Sequence, residues 1–403
     1  MRALYIVSLY PCWSETFIVR ELRELIARGV EVRILSLKPP HEALVQSDAL
    51  LLKAQVIYPG TFGQNAANVV RSVWRAPWKS LRCLVWILGG FGMNLGGLLK
   101  SVVVWWRTLG ALDQIEAWQP QLIHAHWATY PSTSALMLSE VLCVPYSFTA
   151  HAHDIFLEQH LLRKKLTTAA FAVTISEFNR RFLGERIGAD VQDKLHVVHC
   201  GIDIENTPYR ESGRDPEQIL AVGRLDEIKG FSVLVDACRQ LRDRGVRFRC
   251  DIIGEGPLRP ELERQIQSHG LEAQVRLRGV QPQEEVRKQL YTAGIFVLPS
   301  VITRHGNMDG IPVALMEAMA CGAPVVSTTV SGIPELVKTA FSGYLVPPNE
   351  SHALADKIAD LLGDQSVRTL FSRNARRVVE ERFSVSIESA KLLRLFQTTA
   401  GVN

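Results

Sequence analysis

The apolar positions change period along the chain, and those changes lay out its elements. Residues 3–8 form a short, almost wholly apolar run, read as a buried strand. From 15 to 27 the apolar residues Phe17, Ile18, Leu22, Leu25 and Ile26 recur at helical spacing, and Gly29 ends the pattern. Residues 30–35 are strand-like again. Strand, helix and strand in that order predict a βαβ opening and a parallel sheet. Further strands are expected at 122–125, 146–150, 172–175 and 195–198. A polar, turn-rich stretch at 206–216 breaks the pattern and is read as a linker. Beyond it, strands are expected at 219–222, 249–253, 275–277, 295–298 and 325–327. Helices are expected at about 230–243, 258–268, 283–293, 312–320 and 351–362. The predicted architecture is α/β, with two Rossmann-like parallel-sheet domains at 1–206 and 217–384. A helix at about 385–403 is expected to pack back on the first domain. Parallel sheets bind ligands outside the carboxyl ends of their strands, so two facing sheets predict a cleft.

With 403 residues the chain is too long for a single core, which supports the two-domain reading. Lys and Arg total 45 against 41 Asp and Glu, a net +4 that gives no reason to expect a nucleic-acid partner. Seven scattered cysteines form no Cys-x-x-Cys pair, which excludes a disulfide scaffold and a zinc ribbon and suits a reducing compartment. The opening Met1-Arg2-Ala3-Leu4-Tyr5-Ile6-Val7 lacks the features of a signal peptide. There is no Walker loop and no G-x-S-x-G elbow. The first strand–helix turn, residues 8–15, is not G-x-G-x-x-G, which argues against a nicotinamide-dependent enzyme.

The mild net charge conceals an uneven distribution. Between Asp48 and Asp113 there is no acidic residue, but there are seven basic ones and five of the eight tryptophans: Trp74, Trp78, Trp86, Trp105 and Trp106. Within it, 84–106 is apolar but broken by several glycines, Asn94 and Lys100. Three readings are open: a membrane span, a buried hairpin, or insertion at a membrane interface, where tryptophan and basic residues are favoured. The third is the expectation.

Two places carry candidate chemistry. In Gly223-Arg224-Leu225-Asp226-Glu227-Ile228-Lys229-Gly230, two cations five residues apart close a strand and open a helix. Such a turn can grip a diphosphate with the help of helix amides, or be no more than a solvated basic turn. In Asp309-Gly310-Ile311-Pro312-Val313-Ala314-Leu315-Met316-Glu317, Pro312 suits the first position of a helix. Glu317 then falls in the second turn of an apolar segment, where a carboxylate needs a partner. Asp309 is either a plain N-terminal cap or one of two carboxylates framing a nucleotide sugar.

These elements, with Ile253-Gly254-Glu255-Gly256-Pro257, Gly279-Val280 and Gly332-Ile333-Pro334-Glu335, resemble the GT-B retaining glycosyltransferases of family 4. The motifs run in family order over about 220–348. Ser14-Glu15-Thr16-Phe17, His124-Ala125-His126-Trp127 and Thr149-Ala150-His151-Ala152-His153-Asp154 resemble the bacterial exopolysaccharide and colanic-acid type. The resemblance implies that Arg224 and Lys229 bind the donor diphosphate and that Glu317 binds the ribose. It places Gly223, Gly279 and Val280 in the donor pocket. Gly310, Ile311 and Val313 would offer backbone N–H groups, which Pro312 lacks. Asp309 stands where the family has a glutamate that binds the transferred sugar, and His151 matches the histidine near the reacting sugar. Ser14, Glu15, Thr16, His126, His153 and Asp154 are expected at the acceptor side.

The two His-x-His pairs also admit a metal reading, since alternate strand residues share a face. Zinc takes three or four ligands, so no metal is expected. His124 and His126 are read instead as cleft-edge or core histidines. The implied reaction is retaining hexosyl transfer with attack on the face the leaving group vacates, since no carboxylate dyad for double displacement is evident. Fixed cations stabilising the departing diphosphate would make a divalent ion dispensable. The implied partners are a nucleotide-sugar donor (UDP- or GDP-sugar), a lipid-linked saccharide acceptor and the inner face of the cytoplasmic membrane. Two rivals remain at this stage: a nucleotide-sugar 2-epimerase of the same fold, and a carbohydrate-binding scaffold. Intact Arg224, Lys229 and Glu317 speak against the scaffold.

Overall fold

The computed structural model describes residues 1–12, 15–39, 47–91 and 95–401. Its contacts divide the chain into two units, Met1–His199 with Glu388–Asn403, and Cys200–Ile387.

The first unit is built on β1 (Arg2–Leu9), β2 (Glu31–Lys38), β3 (Val56–Ile57), β4 (Leu122–His126), β5 (Tyr146–Ala150), β6 (Phe171–Thr174) and β7 (Leu195–Val197). They form one parallel sheet in the order β3-β2-β1-β4-β5-β6-β7. Both faces are covered, which is why β1 is apolar without alternation. Leu4 and Ile6 enter one core, and Ala3, Tyr5 and Val7 enter the other. Helix Val385–Ala400 adds Leu392 and Phe396 to the second of these. Strand order reverses between β1 and β4, so the carboxyl ends of those strands frame a switch point, the favoured place for a ligand.

The second unit holds β8 (Asp215–Val222), β9 (Arg249–Ile253), β10 (Val275–Leu277), β11 (Ala293–Leu298), β12 (Val325–Thr328) and β13 (Tyr344–Val346). Their order is β10-β9-β8-β11-β12-β13, again all parallel, with the switch point between β8 and β11.

Several expectations are corrected. The edge strands β3 and β13 were not expected, because two and three residues are too few to show a period. Helix Gln365–Arg382 was also not expected. The supposed linker at 206–216 is an integral part of the second unit, and β8 already begins inside it. Arg214 pins this stretch by donating to the carbonyls of Leu290 (2.7 Å), Ala293 (2.9 Å) and Arg210 (2.9 Å). The division falls at His199 and Cys200 instead.

The acid-free stretch contains helices Phe62–Arg75, Pro77–Phe91 and Leu95–Gly110. Among the described residues no helix is long and apolar enough to cross a membrane. The helices are partly buried, through Cys83, Ile87 and Val104. They nonetheless turn apolar stripes outward: Trp78, Leu81, Val85 and Leu88 on one, Leu95, Leu99 and Val103 on the next, both at helical spacing and exposed. Three of the seven basic residues meet counter-charges from outside the stretch. Arg71 and Arg75 pair with Asp113 (2.6 and 3.0 Å), and Arg82 pairs with Glu140.

Candidate active site

In the second unit the turn after β8 folds around Gly230, whose φ is +65°. A Cβ there would stand 2.0 Å from the Pro299 carbonyl oxygen, so only glycine lets this turn lie against the end of β11. Gly254, at φ +144°, packs equally closely on Gly223. Bonds from Leu225 N–H to Glu255 O (2.9 Å) and from Gly254 N–H to Gly279 O (2.9 Å) tie together the loops after β8, β9 and β10. The structure thus gathers Gly223 and Gly279 at one sheet edge. Val280 follows, with an exposed side chain.

Lys229 lies across the switch point from the loop that carries Asp309. Its Nζ is 2.7 Å from Asp309 Oδ1, and Ser300 Oγ donates to Oδ2 at 2.7 Å. Asp309 is therefore no helix cap. The helix is Val313–Ala320, and Pro312 is its N-cap rather than its first residue. The proline carbonyl accepts from the N–H groups of Leu315 (3.1 Å) and Met316 (3.2 Å). The N–H groups of Gly310, Ile311 and Val313 carry no hydrogen bond among the described residues. Glu317 is half-buried in the second turn, as expected. The guanidinium of Arg224 is largely exposed and 3.7 Å from Asp226. Burial raises the Asp226 carboxyl above its usual range; nearby Lys229 opposes that and Asp309 adds to it. The site therefore holds two cations, two carboxylates beside them and a set of open amides.

In the first unit the histidines cluster at the ends of β4 and β5. His124 is a core residue: its ring nitrogens lie 2.8 Å from Ser147 Oγ and 3.0 Å from Thr149 Oγ1. Glu21, His124 and His126 bring ligand-type atoms within 4.8 Å of one another, but hydrogen bonds already engage each group. His126 links two sides. Its Nε2 lies 3.0 Å from Glu21 Oε1, which also accepts from Tyr5 OH at 2.9 Å. Its Nδ1 lies 3.2 Å from His151 Nε2. His151 is buried under Trp127 (ring centroids 4.4 Å apart) and Phe17 (4.9 Å). Burial, then the His126 neighbour, holds His151 well below the usual histidine range, so it is neutral at pH 7.

Glu15 accepts from Trp127 Nε1 at 3.0 Å, and Thr16 opens helix Thr16–Ala27. Ser14 lies outside the described residues. His153 stands apart, half-exposed, with Glu158 at 3.7 Å. Asp154 instead braces the site from within, accepting from the N–H groups of Ala128 (2.5 Å) and His151 (2.9 Å). Burial pushes its carboxyl up to about 6 against those bonds.

Four supporting residues escaped the sequence reading: Tyr5, Glu21, Asn179 and Lys165. Asn179 donates to the His151 carbonyl at 3.0 Å. Lys165 is fully buried and donates to the carbonyls of Ala128 and Thr129, each at 2.7 Å, and burial lowers it to about 7. One signal was available: Leu162, Lys165 and Leu166 fall at i, i+3 and i+4, which puts Lys165 on an apolar helix face.

The model of glycosyl transferases group 1 matches residues 205–378, and that of Glycosyltransferase Family 4 matches residues 14–206. The chain is 42% identical to the putative colanic acid biosynthesis glycosyltransferase WcaL of Escherichia coli K12, over 98% of this chain and all of that one. It is 31% identical to the amylovoran biosynthesis glycosyltransferase AmsK of Erwinia amylovora, over 99% of this chain and all of that one. Among solved structures, Anabaena HepE in complex with UDP and glucose superposes with a TM-score of 0.71 at 18% identity, covering 99% of this chain and 100% of HepE. Sucrose-phosphate synthase from Thermosynechococcus elongatus superposes at 0.74 with 17% identity, covering 99% of each chain. The chain belongs to the family-4 glycosyltransferases, and its two α/β units have the GT-B fold.

Proposed function

We propose that this transferase moves a hexose, with retention, from a UDP- or GDP-sugar to a lipid-linked or growing oligosaccharide in exopolysaccharide assembly. The observation that carries the reading is the Lys229–Asp309–Ser300 cluster, set beside the open N–H groups of 310, 311 and 313 at a sheet switch point. Arg224, Lys229 and those amides bind the diphosphate and stabilise its charge as it departs. Glu317 takes the ribose hydroxyls. Asp309 binds the transferred sugar, and His151, in the first unit, is assigned by resemblance to the family histidine. No step is assigned to a metal ion. The likeness to WcaL and AmsK, named for colanic acid and amylovoran biosynthesis, supports the pathway class. The UDP and glucose held by HepE support the donor class.

We further infer that the protein works in the cytoplasm, against the inner face of the membrane. Seven free cysteines support a reducing compartment. The outward apolar stripes support a membrane surface, since solvent-facing apolar patches of this kind mark interaction sites. The test of the reaction is to incubate the protein with UDP- and GDP-hexoses and a lipid-linked saccharide, and to read the product anomer by NMR. Release of nucleoside diphosphate with a lengthened, retained product is expected. An inverted product refutes retention, and an isomerised donor without transfer points to an epimerase.

A further inference from the structure

We propose that a cavity of about 330 Å³ at the carboxyl ends of β1 and β2 binds the phosphate or diphosphate head of the lipid-linked acceptor. This rests on the acceptor class inferred above and adds where, and by what chemistry, it is held.

Charge is the first argument. Lys38, Lys100 and Arg107 line the cavity, and no carboxylate among the described residues does. Elsewhere in the acid-free stretch the arginines are neutralised: Arg71 and Arg75 by Asp113, Arg82 by Glu140. Lys79 donates to the Val141 carbonyl at 3.2 Å. Lys38 and Lys100 have no ion-pair partner among the described residues, and Arg107 is engaged by a neutral group, the Leu37 carbonyl. Three cations with no counter-charge among the described residues converge here, which suits an anion.

The second argument is the opposite wall, which is apolar. It is made by Leu37, Leu99, Val103 and Val104. Leu99 and Val103 are exposed and belong to the outward stripe that starts at Leu95. The cavity therefore opens onto the surface that would face a bilayer. A free phosphate would leave that wall unused, and a neutral lipid would bury the cations without partners. A ligand with an anionic head and a hydrocarbon tail satisfies both. The volume lies within the ~300–1,000 Å³ range of small-ligand sites.

Position is the third argument. Ser8 and Leu37 place the cavity at the ends of β1 and β2, and Tyr130 closes it from the helix after β4. Three residues before Tyr130, Trp127 covers His151. The head group and the histidine assigned to the reacting sugar thus share one sheet edge, joined by one short loop.

The test is calorimetric titration of the whole chain with geranyl diphosphate, inorganic diphosphate and geraniol, each with the donor site filled by UDP or GDP. Nucleotide binding, measured first, reports separately on the donor reading. If neither nucleotide binds, that reading falls, and the lipid titration still decides this one. Geranyl diphosphate is expected to bind at least about tenfold more tightly than either other probe. The double variant Lys38→Gln/Lys100→Gln should lose about tenfold or more of that affinity while keeping its unfolding midpoint. Leu99→Ser should weaken geranyl diphosphate and leave inorganic diphosphate unchanged. Equal binding of the two diphosphates, or variants that bind geranyl diphosphate like the parent, would overturn the proposal.

Discussion

Lys229 and Asp309, 80 positions apart in sequence, form a 2.7 Å ion pair across the switch point of the second sheet. It joins the cation assigned to the donor diphosphate with the carboxylate assigned to the transferred sugar. Without donor, each group occupies the other. Donor binding must therefore replace one contact by two: phosphate on Lys229, and a sugar hydroxyl on Asp309. The bond from Ser300 holds Asp309 in place during that exchange.

Asp309→Asn should separate the two roles. The amide keeps the size and the Ser300 contact but frees Lys229, so UDP or GDP should bind up to about tenfold more tightly. Transfer should fall, because the sugar loses its charged acceptor. Titration with the nucleotide, alongside turnover, checks this. Weaker nucleotide binding would show that Lys229 does not meet the diphosphate.

Arg224→Ala should lower turnover by ~10²–10³, the usual cost of removing one preorganised charge-stabilising group. Its guanidinium is largely exposed, so the melting temperature should hold. Lys229→Ala should show the same kinetic loss together with lower stability, because it strands a buried carboxylate. Near-normal turnover in both would remove them from the mechanism.

The tautomer of His151 is set by a chain of hydrogen bonds. With Glu21 as the acceptor, the Nε2–H tautomer of His126 turns a bare Nδ1 toward His151 Nε2, 3.2 Å away. His151 then donates from Nε2 and keeps Nδ1 as a free acceptor for a hydroxyl. Nitrogen-15 NMR at pH 7 should report His151 as the Nε2–H form. His126→Phe should mix the two forms and lower turnover by ~10–100-fold, the low end of general acid–base effects. A parent enzyme with the hydrogen on Nδ1 would contradict this.

Lys165 makes a pH prediction whose sign is unusual. Burial lowers it to about 7, far below its unfolded value, so between pH 7 and about 10 the unfolded chain holds a proton that the folded chain lacks. Stability should then rise with pH over that window, by at most about 1.4 kcal/mol per unit. Melting curves of the parent and Lys165→Met should diverge in the parent's favour from pH 7 to 10. A constant difference would mean that Lys165 stays charged when folded.

Membrane binding should depend on Trp74 and Trp78, which are 82% and 81% exposed. Trp105 and Trp106 pack against the core instead, Trp106 stacked 4.2 Å from Phe62. Replacing Trp74 and Trp78 by Ser should reduce vesicle co-sedimentation by at least about tenfold, while the Trp105 and Trp106 variants should mainly lose stability. Salt should weaken binding only modestly, because Arg71, Arg75 and Arg82 are already paired. Equal binding by all variants would return the stripes to some other use.

Period and punctuation along the sequence determined most elements of this protein, because alternation and helical spacing are local consequences of backbone geometry. Buried β1, amphipathic helix Thr16–Ala27 and the turn around Gly230 were all legible, and the motifs that hold Arg224, Lys229, Asp309 and Glu317 already resembled the family. Tertiary structure alone decided which distant groups meet. Glu21 reaches His126 across 105 positions because the sheet sets β4 beside β1, and the helix after β1 packs on the face that Tyr5 and His126 share. The linker reading failed for the same reason: Arg214 looks like a solvated loop residue until four carbonyls from four segments converge on it. The acid-free stretch looked like one basic surface, yet Arg71, Arg75 and Arg82 are paired with Asp113, Glu116 and Glu140, while Lys100 and Arg107 line a cavity. Periodicity records which face of an element is buried; it carries no record of what that face, or the charge beside it, will be packed against.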